Sequence, residues 1–462
     1  MLDQRINAVE NGLLTANFVN GVEQPSGNLI DRMEFYHVPG VSISVINHSQ
    51  IEWSKGYGVG EAGLDSKVTT GTLFQAASIS KPVAAIAALE LVEQGKLDLD
   101  GEVNQWLSSW KIPENEYTQK SKVTLRRILS HTAGLTVHGF PGYSSSETVP
   151  TLLQVLKGEH PANTDPIQVN IEPGSINRYS GGGYTVVQQL LEDITGKPFQ
   201  EFLKNTVLEK LSMNDSTFEQ PLANLNQNRA ATAHNGAGFP IPGKWHTYPE
   251  KAAAGLWTTP TDLARFLIEI MQSSIGLSNK LLSVGMANEM LTPQNGNFGL
   301  GLEINKDAGE ICRFGHGGSN QGFRCYMVAY KETGQGAVVM TNSDNGDMLI
   351  MEIIRGIAHI YGWADFHPEE KTIVQVNPDT LTQFAGKYQL ADWPEFVIQV
   401  QVDNSRLVAE NIPAALRYEL YPESKNKYFA LETELTIEFT QDDHGSVNAL
   451  MLGPNMKMEK IK

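Results

Sequence analysis

Residues 74–86 read F-Q-A-A-S-I-S-K-P-V-A-A-I and place a lysine, Lys81, three residues after Ser78 among small and apolar neighbours. On a helix, positions i and i+3 share a face, so the two side chains can meet. A serine hydroxyl is a poor nucleophile until a neighbouring base takes its proton. Ala76, Ala77, Val83 and Ala84 would strip water from Lys81 and so disfavour its charged form. The spacing predicts a helix over 78–94, closed by Gly95, with Ser78 in its first turn near the positive end of the helix dipole. The plain alternative is a lysine on a solvated helix face, and S-x-x-K alone does not choose between the two.

Two further stretches carry chemistry. In R-Y-S-G-G-G-Y (178–184) the glycines let the backbone approach a neighbour closely, and Tyr179 before them could present its phenol to a cleft as a proton relay. A Gly-rich turn with a packed tyrosine is the competing reading. In F-G-H-G-G-S-N-Q-G-F (314–323) a histidine, His316, stands near a strand end with two glycines after it. That leaves room for a substrate along the strand edge and for backbone N–H groups to bind an oxyanion. A plain hairpin turn with an incidental histidine fits as well.

Around these stretches the chain changes character in order. Val41–Ile46 and Ile51–Tyr57 alternate across a polar turn and predict a β-hairpin. Helical patterning follows at 124–130, 184–195 and 261–273, with a proline-interrupted stretch at 136–173 that reads as a partial lid. Ile311–Gly315, Phe323–Tyr330 and Gly336–Asn342 read as an antiparallel meander, and a helix is expected over 348–361. Both ends of this region can then join one antiparallel sheet packed by helices. A charged, proline-bracketed boundary falls at 364–378. Beyond it Phe396, Ile398, Val400, Val402 and then Leu435, Ile437, Phe439 alternate, which predicts a small all-β barrel or sandwich. The fold class expected is therefore α+β: an antiparallel sheet flanked by helices with an all-helical subdomain over 1–365, followed by a small all-β barrel over 376–462.

Bulk properties narrow the partners. The chain has 462 residues and a net charge of −17, from 52 acidic and 35 basic residues. That argues against a nucleic-acid backbone or an anionic membrane as partner, both of which need clustered Lys and Arg. No run approaches the ~18 apolar residues of a membrane span. The N-terminus, M-L-D-Q-R-I-N-A-V-E-N-G, lacks the apolar segment of a signal peptide, so the expectation is cytoplasmic, or periplasmic or secreted if a leader was removed. Cys312 and Cys325, the two cysteines, exclude a disulfide framework; they read as two buried thiols or as a pair across a hairpin. Composition says nothing of the oligomeric state.

Other motifs fall away. Gly58-Val-Gly-Glu-Ala-Gly63 matches G-x-G-x-x-G, but no helix or βαβ unit follows, so no dinucleotide cofactor is expected. The eleven histidines show no metal-ligand spacing, and no metal is expected. No G-x-S-x-G elbow occurs. His131, in an apolar helix-to-turn context, reads as structural; Trp245, His246, Tyr248 and Trp257 read as cleft or core.

Ser78-Ile79-Ser80-Lys81, Tyr179-Ser180-Gly181 and His316-Gly317-Gly318, in that order and spacing, resemble the three motifs of the penicillin-binding-protein and class C β-lactamase-like serine hydrolases. Leu129–Leu135 (L-S-H-T-A-G-L) and Ala253–Leu263 (A-A-G-L-W-T-T-P-T-D-L) resemble flanking signatures of the same family. The resemblance spans about residues 25–360, and the tail resembles the lipocalin-like domain attached to some of these peptidases. It implies Ser78 as the acylated nucleophile, Lys81 as its base, Tyr179 as proton shuttle, and His316 in the K-T-G lysine position. It also implies an oxyanion hole from the backbone N–H groups of Ser78 and Ser319, with substrate lying along Gly317, Gly318, Ser319 and Asn320. Gly181 replaces the usual Asn, and H-G-G replaces K-T-G. Both departures remove groups that bind a lactam carboxylate. They point to small peptide or ester substrates, most of all D-amino-acid peptides of the D-alanine carboxypeptidase or D-aminopeptidase type. A carboxylesterase or weak β-lactamase, with β-lactams as acylating ligands, and a non-catalytic penicillin-binding sensor are the alternatives.

Overall fold

In the computed structural model, which describes residues 2–307 and 311–461, the alternating runs at the start form the expected hairpin. Strands β1 (Gly40–Asn47) and β2 (Gln50–Gly58) pair antiparallel. The meander supplies β3 (Glu303–Asp307), β4 (Ile311–Asn320), β5 (Phe323–Tyr330) and β6 (Gln335–Thr341). β6 pairs with β1, Val41 opposite Thr341, which closes one six-stranded sheet in the order β2-β1-β6-β5-β4-β3. β1 and β6 are buried on both faces, although β1 places Ser42 and Ser44 on one of its own.

Helices carry the remaining motifs: α1 (Ser80–Glu93), α2 (Leu125–Leu129), α3 (Gly181–Thr195) and α4 (Pro260–Ser274). α1 is buried on nearly all sides, the signature of a core helix rather than a surface one. α4 is capped by Thr259, whose hydroxyl accepts from the Asp262 N–H at 3.2 Å, and starts with Pro260, whose missing N–H costs nothing there. Its buried Leu263, Phe266, Leu267 and Ile270 lie across β1, β2, β5 and β6.

Three local expectations change. The helix after Phe74 begins at Ser80; Ser78 sits in a preceding 3₁₀ turn, Ala77–Ile79. The strand expected to end at Gly315 continues to Asn320, so H-G-G lies within β4 and the turn falls at Gln321-Gly322. Residues 136–173, expected as a partial lid, form a wall packed on the core. Leu156, Ile167 and Val169 belong to the same apolar core as α1 and α3, Val155 is buried beside them in the chain, and Leu135 bridges to Val169.

Residues 39–234 and 240–344 form one compact unit that holds all of these elements. The other unit comprises the chain up to Val38, Asn235–Phe239 and everything from Asn345 on. It contains α5 (Gly346–Tyr361), a helix Leu29–Phe35 and a closed antiparallel barrel. Arg32 grips Glu352 of α5 with two hydrogen bonds of 2.7 Å, and Tyr36 donates to the same carboxylate at 2.7 Å. A buried ion pair needs such additional hydrogen bonds to offset its desolvation.

The barrel strands are β7 (Gly386–Leu390), β8 (Trp393–Asp403), β9 (Arg406–Asn411), β10 (Leu416–Pro422), β11 (Lys427–Phe429), β12 (Thr436–Gln441), β13 (Val447–Leu452) and β14 (Met456–Ile461). β14 returns to β7, Ile461 opposite Lys387, and leaves no open edge. Tyr388, Ile398, Val400, Phe439 and Met458 fill its core, so alternation reads the inner face correctly. Leu435 is the exception: it precedes β12 and is 40% exposed. Among the described residues no helix is long and apolar enough to cross a membrane.

Candidate active site

Within the described run 72–89, Ser78 is the one residue that is not buried. The segment is held there by residues 253–258. Phe74 and Gln75 pair with Thr258 and Trp257, and the Ala76 N–H donates to the Leu256 carbonyl at 2.8 Å. Ser80 donates to the Ala77 carbonyl at 2.6 Å and accepts from the Leu256 N–H at 3.0 Å. Ala77 is driven to φ +48, left-handed backbone that a residue with a Cβ adopts only under constraint. The strained residue directly precedes Ser78 and turns its side chain out of an otherwise closed core.

Lys81 follows one turn later, 2% exposed, with Nζ 2.8 Å from Ser78 Oγ and donating to the Ala253 carbonyl at 2.8 Å. Burial, with no carboxylate to oppose it, lowers its pKa to about 7. Half the amines are then unprotonated near neutrality, which is what a base for Ser78 requires.

Tyr179 closes the third side, with its ring 5.0 Å from Lys81 Nζ. Its hydroxyl is buried and has no hydrogen-bond partner among the described residues. Burial raises the phenol's pKa, while the nearby Ser78 hydroxyl pulls it back. Ser180, next in the chain, caps α3: its hydroxyl accepts from the Gly183 N–H at 3.0 Å and donates to the Thr136 carbonyl at 2.8 Å. The three glycines form the first turn of α3 rather than a loop, and the close-approach expectation is met at Gly182. A Cβ there would lie 2.5 Å from the Thr136 oxygen.

His316 faces this group from β4. Its Nδ1–H donates to the Gly317 carbonyl at 2.6 Å, which leaves Nε2 as a buried lone pair with no partner among the described residues. Burial and the neighbouring Lys81 lower its pKa to about 3, so it is neutral. Gly318 presses on the Ser78 turn: a Cβ would stand 2.3 Å from the Ala76 oxygen and 2.4 Å from Cys325 Sγ. Ser319 is exposed beside it. Asn320, expected among the substrate contacts, has its amide engaged by Gln75 at 2.7 Å and by the Ala254 carbonyl at 3.1 Å. Both cysteines are buried thiols, with Cys325 donating to the Ala76 carbonyl at 3.1 Å.

The structure thus brings Ser78, Lys81, Tyr179 and His316 to one place. A model of the Beta-lactamase family matches residues 27–359.

The chain belongs to the beta-lactamase family.

Members of that family are serine hydrolases, and this chain is an enzyme of that kind. It is 22% identical to penicillin-binding protein 4* of Bacillus subtilis over 432 residues, 88% of this chain and 91% of that protein. The octameric penicillin-binding protein homologue of Pyrococcus abyssi superposes with a TM-score of 0.62 at 22% identity, covering 94% of this chain and 98% of that one. A D-amino acid amidase of Ochrobactrum anthropi SV3 gives 0.57 at 20% identity over 77% and 99% of the two chains. At such identities the structural likenesses speak for the fold.

Two contributors had no chemical signal in this beta-lactamase-family sequence. The Ala253 carbonyl that holds Lys81 is backbone and leaves no side-chain trace, although A-A-G-L-W marks its place. His131, read as structural, stacks on Tyr179 with ring centroids 4.2 Å apart. Trp257 and Tyr248 are fully buried; the Tyr248 hydroxyl accepts from the Gln321 N–H at 3.0 Å and so braces the β4–β5 turn.

Proposed function

We propose that the enzyme cleaves amide or ester bonds through an acyl-enzyme on Ser78, and that its substrates are small D-amino-acid amides or peptides lacking a carboxylate at the His316 side. The observation that carries this reading is the neutral, partnerless Nε2 of His316 where K-T-G relatives hold a cation. A lone pair accepts a hydrogen bond from an N–H or O–H donor and repels a carboxylate. The D-amino acid amidase among the structural neighbours supports the same substrate class.

The geometry around Ser78 supports the following course. Ser78 Oγ attacks the substrate carbonyl as Lys81 Nζ, 2.8 Å away, takes its proton. The backbone N–H groups of Ser78 and Ser319 receive the oxyanion, each donor contributing about 3 kcal/mol in the transition state. The proton passes by way of the Tyr179 hydroxyl to the leaving amine or alcohol, which departs as the C–N or C–O bond breaks. Water then attacks the Ser78 ester, giving up a proton through the same groups, and releases the acid and free Ser78.

The test is a substrate panel of D-amino-acid amides, D-alanyl dipeptides, p-nitrophenyl esters and nitrocefin, with mass spectrometry after fluorophosphonate treatment. Expected are an adduct on Ser78, its loss in Ser78→Ala, and a preference for amides and esters over free-carboxylate dipeptides. Nitrocefin as the best substrate would overturn the reading of His316. Turnover unchanged in Ser78→Ala would overturn the acyl-enzyme itself.

A further inference from the structure

His131 grips residue 179 from both sides. Its carbonyl accepts from the Arg178 N–H at 2.8 Å, and its Nδ1 accepts from the Ser180 N–H at 3.1 Å. Between those two anchors its ring lies 4.2 Å from the Tyr179 ring at an interplanar angle of 30°, and Phe298 meets the imidazole edge-on at 4.8 Å. The residue is 2% exposed and sits at φ +59, left-handed backbone that ordinary residues avoid. Position 131 is thus held in an unfavourable conformation in which both its carbonyl and its ring nitrogen reach the Tyr179 segment.

From this three-point contact we infer that His131 is a positioning residue for Tyr179, holding its phenol against Ser78 and Lys81. The inference rests on the reading of Tyr179 as the proton relay. An imidazole whose Nδ1 accepts from a peptide N–H carries its proton on Nε2 and is neutral. Burial, with Lys81 and His316 nearby, favours that neutral form. A protonated ring would turn an N–H toward the Ser180 N–H and release one of the two anchors. The stack alone leaves the phenol free to swing about its own backbone, whereas the two hydrogen bonds from peptide N–H groups fix where that backbone lies.

A double-mutant cycle between positions 131 and 179 tests this. Asn tolerates the left-handed backbone and keeps an acceptor for Ser180 without the ring; Ala removes both. Expected is a kcat loss of roughly 10- to 100-fold in His131→Ala, with KM little changed, and a smaller loss in His131→Asn. In the Tyr179→Phe background the same substitutions should cost nothing further, because there is no phenol left to place. Fluorophosphonate labelling of Ser78 and a thermal transition report that each variant is folded; should His131→Ala not fold, His131→Asn carries the cycle. Losses that simply multiply with that of Tyr179→Phe, or a full kcat in His131→Asn and His131→Ala, would overturn the inference. An unchanged kcat in Tyr179→Phe alone would sink the relay reading and this inference with it, a result separable from the others.

Discussion

Phe140 occupies the place that a side chain at Gly181 would enter. A Cβ built on Gly181 stands 3.0 Å from the Phe140 ring and 3.0 Å from the His138 carbonyl oxygen. At Gly181 the space a side chain would need is taken by the wall formed by residues 136–173. Gly181→Asn should then destabilise by about 1–3 kcal/mol, the usual cost of overpacking, and should not confer nitrocefin hydrolysis. Phe140→Ala in the same chain should recover part of the melting temperature. Equal melting temperatures for Gly181→Asn and the parent would contradict this account.

The pH dependence of kcat/KM follows from Lys81. With its pKa lowered to about 7, the amine loses its proton as pH rises through neutrality, so activity on a neutral ester should climb over that range. His316, at about 3, is neutral throughout and adds no limb there. Tyr179 is raised above its ordinary range and stays a phenol through mildly alkaline pH. A profile flat from roughly pH 5 to 9 would deny Lys81 the role of base.

Much of this was legible because the side chains involved act over short chain distances. Val41–Ile46 alternates since one strand has two faces, and Ser78 with Lys81 are one turn apart, so a local pattern suffices. Barrel residues Ile398 and Val400 are recognisable for the same reason. What was not legible depends on groups brought from far along the chain. Phe140 lies 41 positions before Gly181, and the His131 grip runs to residues 178 and 180. The Ala253 carbonyl belongs to every residue type alike. The 3₁₀ turn at Ala77–Ile79 arises from hydrogen bonds to Leu256, which helix propensity around Ser78 does not encode.

Two adjacent glycines in β4 should respond in opposite ways. At Gly318 a Cβ would strike the Ala76 backbone oxygen at 2.3 Å and force β4 away from the Ser78 turn. At Gly317 nothing lies closer than 3.8 Å. Gly318→Ala should thus lower kcat by about 10²–10³, the loss expected when an oxyanion donor is displaced, while Gly317→Ala remains folded and active. Steady-state kinetics on a p-nitrophenyl ester would separate them. The argument fails if the two variants lose activity equally.

Glu250 is fully buried, neither carboxylate oxygen has a hydrogen-bond partner among the described residues, and burial raises its pKa from 4.5 to about 8. In the window between those values the unfolded chain has released a proton that the folded chain keeps. Folding stability contributed by this group therefore falls as pH rises through the window. Glu250→Gln carries no such proton and removes the slope. Its melting temperature should match the parent's near the lower end of the window and exceed it at the upper end. Lys81 also titrates differently in the two states, but it is common to both proteins and cancels in the comparison. Thermal denaturation at the two pH values decides the point: a difference in melting temperature that does not change with pH would show that Glu250 is already ionised in the folded chain.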